Sequence, residues 1–364
     1  MRGAGVGGDV GTLLAGSWRH EPAPPDVPAA ALPQLLTRTR ERLLSTACGS
    51  LVWWRLRGTE TGALAAAAPF RDAHRHHALR AAVDAHRLSL LLRVVRAAGV
   101  EPLLLKGWST SRRYPAPGLR PPGDIDLCVR PGEREVVERA IAEGTRNYPE
   151  LAGAAVDLHT AATDLADRPM DELLERSLLA PLGDASSTQV RVLGAEDHLR
   201  LLALHLLRHG AWRPIWLCDV ALMLESEGSA LDWDRCLRGA AEPARRVACA
   251  LGLAHRLLGA RLPAELPAAA ARCAHRLPSW LVDATLRQWG SSYERYTGPA
   301  LADAVRGGPW EGRATVWRAI RHRWPNPIEA SVALGAPFNR LPRLPIQVGE
   351  VLGRAVGGVA GLGR

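Results

Sequence analysis

The chain has 364 residues, enough for one large domain or two ordinary ones with a buried core. Hydrophobic residues make up 47% of it, which excludes a disordered protein, and the scarcity of Phe and Tyr beside abundant Ala, Leu and Arg favours helices over a β-rich fold. The formal charge is +9, but the basic residues are scattered arginines with no run of five, which argues against a nucleic-acid-binding surface.

The cysteine pattern and the N-terminus bear on the cellular compartment. Six cysteines with no C-x-x-C pair are typical of reduced, mostly buried thiols in a cytoplasmic protein. The first residues lack a sustained apolar stretch of the kind found in secretory signals, and no stretch approaches the roughly 18 apolar residues of a membrane span. We therefore expect a cytoplasmic protein without a membrane span, and the sequence leaves its oligomeric state open.

The N-terminal part of the chain divides into two regions. Residues 1–30 are rich in Gly and Pro, which indicates a flexible leader. Residues 31–99 are predicted to be helical because leucines recur at helix spacing, as in Leu88, Leu91 and Leu92. Gly99 is predicted to end the last helix of this region, as the glycine that follows a helix C-terminus.

The pattern changes at Val100, where short apolar runs replace the helical spacing. The first run stops at Lys106-Gly107, a Pro-rich loop follows, and the next run alternates between apolar and polar residues. We predict a helix over 133–143 and strands over 100–105, 124–129, 154–159 and 189–193. Region 100–193 is therefore predicted to be a small mixed sheet with helices.

The C-terminal part returns to helical spacing. Residues 194–324 begin with an amphipathic segment, Glu196–His209, and are predicted to be a helical region. Residues 325–364 form a Pro/Gly-rich tail to which the sequence assigns no element. Together the regions predict an α+β fold, in which a small mixed β-sheet is flanked by N- and C-terminal helical regions.

Two aspartates on one predicted strand are the strongest chemical signal. Because successive strand residues point to opposite faces, Asp124 and Asp126 share a face while Ile125 packs into the core. Two carboxylates on a rigid strand repel each other unless cations lie between them. Mg²⁺ takes carboxylate oxygens and keeps coordination sites for phosphate, and two such ions suit a phosphoryl displacement. An isolated D-x-D, however, is also compatible with a solvent-facing edge strand.

The residues before this strand favour a phosphate site. Lys106, the only lysine in the chain, precedes Gly107 and Ser109, and backbone N–H groups in such a turn can face a phosphate. Lys106 is suited to neutralise a triphosphate oxygen, and Arg120 is suited to bind one bidentately.

A third acid lies in the next predicted strand. Asp157 is a candidate to bind the metal or to accept the proton of an acceptor hydroxyl. His159 lies on the same face two residues later, where a supporting or packing role is favoured.

The ordered set of motifs resembles a known family. Leu105-Lys106-Gly107, Tyr114-Pro115, Arg120 and Asp124-Ile125-Asp126-Leu127 are similar to an uncharacterised bacterial branch of the polymerase-β-type nucleotidyltransferases. "VDLH" at 156–159, "EDHLRLLALHLLRHG" at 196–210 and Asp219 fit the same branch, so that the resemblance covers about residues 85–225.

The resemblance implies a function. It implies a nucleotidyltransferase core with Asp124, Asp126 and Asp157 as catalytic metal ligands and Gly107 and Ser109 as the phosphate turn. It also implies two Mg²⁺ ions, an NTP substrate, with ATP expected, and release of pyrophosphate. The acceptor is expected to be a hydroxyl-bearing small molecule, peptide or protein, and the sequence does not identify it. The sequence departs from the superfamily at Trp108, which stands where a Gly or Ser is usual.

Alternative interpretations stay open. The chain is either such an enzyme or a non-catalytic accessory or binding protein that keeps the fold, and the intact acidic residues favour the enzyme. A transferase acting on nucleic-acid ends is suggested only by the net charge. His198, His205 and His209 lie near one helical face at a spacing that zinc accepts, but without H-E-x-x-H a structural or substrate-facing role is favoured.

Overall fold

A five-stranded mixed sheet forms the centre of the fold. The computed structural model describes residues 5–121, 123–183, 188–291 and 324–361. The strand order is β3-β2-β1-β5-β4, with β1–β5 and β2–β3 parallel and β1–β2 and β4–β5 antiparallel. The strands are β1 (Leu103–Leu104), β2 (Ile125–Cys128), β3 (Val156–His159), β4 (Leu178–Pro181) and β5 (Gln189–Val192). The prediction of an α+β fold with a small mixed sheet is confirmed.

Helices precede and interrupt the sheet. They are α1 (Val6–Leu14), α2 (Leu32–Ser45), α3 (Gly49–Leu56), α4 (Ala68–Ala97), α5 (Trp108–Ser111), α6 (Arg134–Asn147) and α7 (Met170–Glu175). Helix α4 ends before Gly99, whose φ of 81° is the left-handed conformation predicted for that glycine.

The structure differs from the predicted flexible leader over 1–30. Val10, Leu13 and Leu14 of α1 are fully buried, and α1 packs against a later helix, α13 (Ser279–Gly290). Gly7 abuts the carbonyl of Leu286 on α13 and leaves no room for a Cβ. The glycines that indicated flexibility therefore permit close helix packing.

More helices follow the sheet. They are α8 (Ala195–Arg208), α9 (Pro214–Glu227), α10 (Trp233–Leu237), α11 (Ala241–Leu258), α12 (Ala268–His275), α13, α14 (Pro327–Ala333) and α15 (Leu344–Gly361). The last two occupy the tail to which the sequence assigned no element. The predicted helical region 194–324 includes residues 292–323, which lie outside the described residues. Within the described ranges no helix has the length and apolar character needed to cross a membrane.

The sheet lies between two layers of helices. Leu104 and Leu127 belong to a core that includes Leu88 and Leu91 of α4, whereas Leu103 and Cys128 belong to a larger core that includes residues of α8 and α9. Because side chains alternate along a strand, Asp126 shares the face of Cys128. The carboxylate face of β2 is therefore the face that contributes to the larger core, to which α8 and α9 also belong.

All six cysteines lie in the described ranges and are free thiols. Five of them are buried and Cys273 is partly exposed. Burial raises the pKa of the Cys48 thiol to about 12, so that it packs as a small apolar group.

Candidate metal and phosphate site

A tight turn connects β1 to the short helix α5. Gly107 has a φ of 66°, which a residue with a Cβ rarely adopts, and its carbonyl accepts hydrogen bonds from the backbone N–H groups of Thr110 and Ser111. Lys106, just before this glycine, reaches back over the sheet to the carboxylate of Asp126. The turn thus brings the only lysine of the chain to the acidic face of β2.

The parallel pairing of β2 and β3 puts two acidic residues side by side. Asp126 is the register partner of Asp157, and Cys128 is the partner of His159. Register partners in a sheet point to the same face, so that Asp126, Asp157 and His159 all lie on the face of the sheet that carries Cys128. Local sequence patterns could not predict this strand pairing, because Asp157 lies 31 positions after Asp126 in the chain.

The three side chains form a compact cluster. One ligand atom from each of Asp126, Asp157 and His159 lies within 4.8 Å of the others, and within the described residues no other group of three potential ligands is so close. His159 Nε2 is 3.2 Å from Asp126 Oδ1 and 3.2 Å from Asp157 Oδ2. Since carboxylates only accept hydrogen bonds, Nε2 must carry the proton and donate it.

The members of the cluster differ in burial. The Asp126 side chain is 5% exposed, whereas that of Asp157 is 59% exposed. Burial alone would raise the pKa of Asp126, but the hydrogen bond from His159 and the ammonium of Lys106 outweigh it and lower the pKa. Asp126 is therefore an ionised carboxylate inside the fold, and Asp157 is its solvent-accessible neighbour.

The predicted ligand Asp124 has a different position. It directly precedes β2, follows Gly123 with its φ of 74°, and is exposed to solvent. It lies outside the compact cluster of Asp126, Asp157 and His159. The structure thus groups two of the three predicted acids with a histidine for which the sequence favoured a supporting role. The sequence feature that pointed to His159 was its position two residues after Asp157, which places both side chains on the same face of β3.

Two predicted phosphate contacts have buried side chains. The Ser109 hydroxyl donates to the carbonyl of Leu105 at 3.2 Å and lies 3.5 Å from His198 Nε2, so it faces the α8 side of its helix. Arg120 is 7% exposed and binds Asp219 of α9, with Nη2 2.9 Å from Oδ2. The guanidinium also donates to the carbonyl of Gly107 at 3.4 Å.

A buried network therefore ties the phosphate turn to α9. Tyr114 donates its hydroxyl proton to Asp219 Oδ1 at 2.9 Å, and Arg120 donates to both oxygens of the same carboxylate. Because Arg120 also contacts Gly107, the position of the turn depends on this ion pair.

Helix α8 packs beside the short helix α5 and the turn that follows β3. His198 is fully buried and lies 3.0 Å from the Thr110 hydroxyl, and burial lowers its pKa to about 3, so it is neutral. His205 contacts Asp164, in the turn after β3, at 3.1 Å. His198 and His205 thus have separate partners, and within the described residues the three histidines of the α8 motif do not form a compact group of potential metal ligands.

Asp164 gives a prediction for acid stability. Burial alone would raise its pKa, but hydrogen bonds from His205 and Arg208 outweigh it and lower the pKa from 3.8 to about 2. The stabilisation is present above about pH 4 and is lost as the pH falls through 2. Asp164→Asn should therefore reduce the free energy of unfolding by roughly 2 kcal/mol at pH 5 and by much less near pH 2, as measured by urea denaturation.

The exposed acid Asp171 provides the matched control. Its side chain is 83% exposed and pairs with Arg130, so Asp171→Asn should change the free energy of unfolding little at either pH. If Asp164→Asn lowered the free energy of unfolding equally at pH 5 and pH 2, the pH-dependent stabilisation assigned to the Asp164 carboxylate would be contradicted.

Comparison with known proteins identified one family. The sequence model of a family described as "Uncharacterised nucleotidyltransferase" matches residues 40–259, more than half of the chain. The matched segment begins within α2, ends just after α11 and contains the whole cluster. No curated protein and no solved structure matched the chain.

Proposed function

Because the chain belongs to this nucleotidyltransferase family, we propose that it is a metal-dependent enzyme that transfers a nucleoside monophosphate from an NTP to a hydroxyl-bearing acceptor. The observation that carries the proposal is the pairing of Asp126 with Asp157 on adjacent parallel strands, beside Lys106. ATP is the expected NTP, and the acceptor is a small molecule, peptide or protein. In the reaction an acceptor oxygen bonds to the α-phosphorus, the bond to pyrophosphate breaks, and pyrophosphate leaves.

The carboxylates suit a hard divalent cation. Asp126 and Asp157 would hold Mg²⁺ through their oxygens, and Asp124, at the exposed start of β2, would complete the set for a second ion. Nitrogen is not a preferred Mg²⁺ donor, so we assign His159 to orienting the two carboxylates. When bound, the metal supplies charge stabilisation for the transferring phosphoryl group.

Lys106 links the metal site to the triphosphate. Its ammonium and a divalent cation compete for the same oxygen of Asp126, so cation binding would free the lysine to neutralise a triphosphate oxygen. The backbone N–H groups of Gly107 and Ser109 would face the phosphates, since the first N–H groups of a helix lack partners within it. Arg120 would act indirectly, by fixing the carbonyl of Gly107.

The acceptor proton needs a base that solvent can reach. Asp157 is more exposed than Asp126 and touches His159, so it is suited to accept the proton of the acceptor hydroxyl as the oxygen attacks. Asp126, buried and paired, is suited to metal binding alone.

The test is transfer of label. Purified full-length protein is incubated with Mg²⁺, each α-labelled NTP in turn and a cell extract, and the labelled products are separated. We expect one labelled product class that requires both Mg²⁺ and the protein, with pyrophosphate released in equal amount. If no NTP labels any acceptor with any divalent cation, the accessory-protein interpretation replaces the enzyme.

The contribution of Asp124 is tested by substitution. Asp124→Asn is expected to lower the transfer rate about a hundredfold, because one carboxylate is lost from the metal set and its exposed position keeps the fold unchanged. The measurement is the transfer rate against Mg²⁺ concentration, alongside a thermal melt. If the Mg²⁺ dependence of the variant equals that of the wild type, Asp124 is not a ligand and the site is limited to Asp126 and Asp157.

A further inference from the structure

A group of aromatic rings surrounds the turn between α8 and α9. The aromatic cluster consists of His205, His209, Trp212 and Trp216. The His205 and His209 rings are 4.5 Å apart between centroids, His209 and Trp216 are 5.4 Å apart, and Trp212 and Trp216 are 5.6 Å apart. The rings contact one another in tilted and edge-to-face arrangements, and nothing in the proposed metal and phosphate chemistry uses them.

The aromatic cluster is on the same side of the sheet as the carboxylates. Asp126, Asp157 and His159 lie on the face of the sheet that contributes to the larger core, and α8 and α9, which carry two of the rings and flank the other two, belong to the same core. Asp164 follows β3 by five residues and contacts His205 at 3.1 Å, which connects the end of the strand to the rings. The charge of Lys106 also reaches His205 and His209 and contributes to lowering the pKa of both.

The rings are partly open to solvent and are held in place. His209, Trp212 and Trp216 are each half-buried, whereas His205 is buried beneath them. Arg42 donates to the carbonyl of Trp212 at 2.6 Å and to that of Gln288 at 2.8 Å, which fixes the turn against α2 and α13. Because this turn is already fixed in the free protein, little conformational entropy is lost when a ligand binds there.

The chemistry of the surface favours a planar, uncharged ring. Burial is the main cause that lowers the pKa of His209, to about 4, so its imidazole is neutral at physiological pH. The guanidinium carbon of Arg213 lies 5.2 Å from the Trp212 ring and 5.5 Å from the Trp216 ring. Two indoles in an edge-to-face arrangement and a neutral imidazole together suit contact with the planar ring of a nucleobase.

We propose that the aromatic cluster, with the half-buried rings of Trp216 and His209 in contact with the base, binds the nucleobase of the NTP while its triphosphate lies at Lys106 and the carboxylates. The inference rests on the proposed function and adds to it the site that holds the base. Every base has a π face, so stacking alone tolerates several bases.

The test distinguishes binding of the nucleobase from binding of the phosphates. Binding of ATP and of inorganic tripolyphosphate, each with Mg²⁺ and without acceptor, is measured by titration calorimetry on full-length protein. The wild type should bind ATP more tightly than tripolyphosphate. Trp216→Ala should weaken ATP binding about ten- to hundredfold and leave tripolyphosphate binding unchanged, and His209→Ala should act in the same direction.

Trp280 provides a matched control on another part of the chain. It is a half-buried tryptophan that contacts Arg343 at 4.6 Å and Phe338 at 5.4 Å, so it has the same kinds of neighbour as Trp216. Trp280→Ala should leave the affinity for ATP unchanged. Trp216→Phe keeps a stacking ring, and it should retain most of the affinity that Trp216→Ala loses.

The outcomes distinguish this inference from the function it rests on. If the wild type binds neither ligand, the proposed function fails and the inference fails with it. If the wild type binds both ligands equally, or if Trp216→Ala and His209→Ala weaken both ligands by the same factor, the nucleobase site is overturned while the phosphate site stands. Selective loss of ATP affinity in the folded variants supports the inference.

Discussion

Asp126→Asn is expected to lower nucleotide transfer by at least about a thousandfold while the protein stays folded. The reason is electrostatic, because Asn keeps the shape of Asp but removes the charge that holds a divalent cation against a triphosphate. Metal stabilisation of the transition state is worth several kcal/mol, and each 1.36 kcal/mol is about tenfold in rate. The effect should exceed that of Asp124→Asn, because Asp126 is central to the cluster and Asp124 is outside it.

The fold should tolerate the same substitution. Lys106 keeps 21% of its side chain exposed, so its ammonium can turn to water when the carboxylate is lost. The measurements are the metal-dependent transfer rate and a thermal melt, with Asp171→Asn as a control that removes an exposed charge without effect on rate. Full transfer activity in Asp126→Asn would mean that the cluster does not hold the catalytic metal, and the accessory-protein interpretation would then be favoured.

The parts of the fold that the sequence predicts depend on local periodicity. In the strand containing Asp126, Ile125 and Leu127 lie on the face that packs with α4, while Asp126 and Cys128 lie on the opposite face, and this alternation is visible in the sequence. Helix α4 ends where Gly99 supplies a left-handed residue. Both features are specified by residues a few positions apart in the chain, so they can be recognised in the sequence.

The parts that were missed depend on tertiary contacts. The N-terminal glycines resemble a flexible leader, but Gly7 is small so that α1 can approach α13, nearly 280 residues later. Strand β4 contains the exposed residues Leu178 and Leu179 and ends in a proline, so it lacks the buried alternation that identifies a strand. Neither feature can be recognised from the neighbouring residues in the sequence.

The candidate site was also predictable only where it depends on local sequence patterns. The sequence placed the acidic residues on strands, but it could not show that Asp157 pairs with Asp126 or that His159 joins them. Asp124 and Asp126 look equivalent in a D-x-D pattern, yet only Asp126 is enclosed by the fold, because Asp124 precedes the strand. Arg120 resembled a phosphate ligand, while its partner Asp219 lies 99 residues further along the chain.

Breaking the ion pair between Arg120 and Asp219 is expected to have the largest effect on stability. Arg120→Ala or Asp219→Asn should each lower the free energy of unfolding by about 3–5 kcal/mol, because the remaining partner is left in the interior without its counter-charge. Chemical denaturation measures this loss. Arg130→Ala, which removes an exposed ion pair with Asp171, should cost less than about 1 kcal/mol.

The double substitution Arg120→Met with Asp219→Leu separates stability from function. Replacing both buried charges by apolar side chains of similar volume often restores stability, so the double variant should recover part of the loss seen in either single variant, reduced by the cost of leaving the buried Tyr114 hydroxyl without its acceptor. It should not recover nucleotide transfer, since the hydrogen bond from Arg120 to the carbonyl of Gly107 is still missing and the turn that faces the phosphates is no longer fixed. A positioning role predicts a raised KM for the NTP in this stable variant. If the double variant regains both stability and a wild-type KM, Arg120 serves only the packing of α9, and the turn is positioned by other contacts.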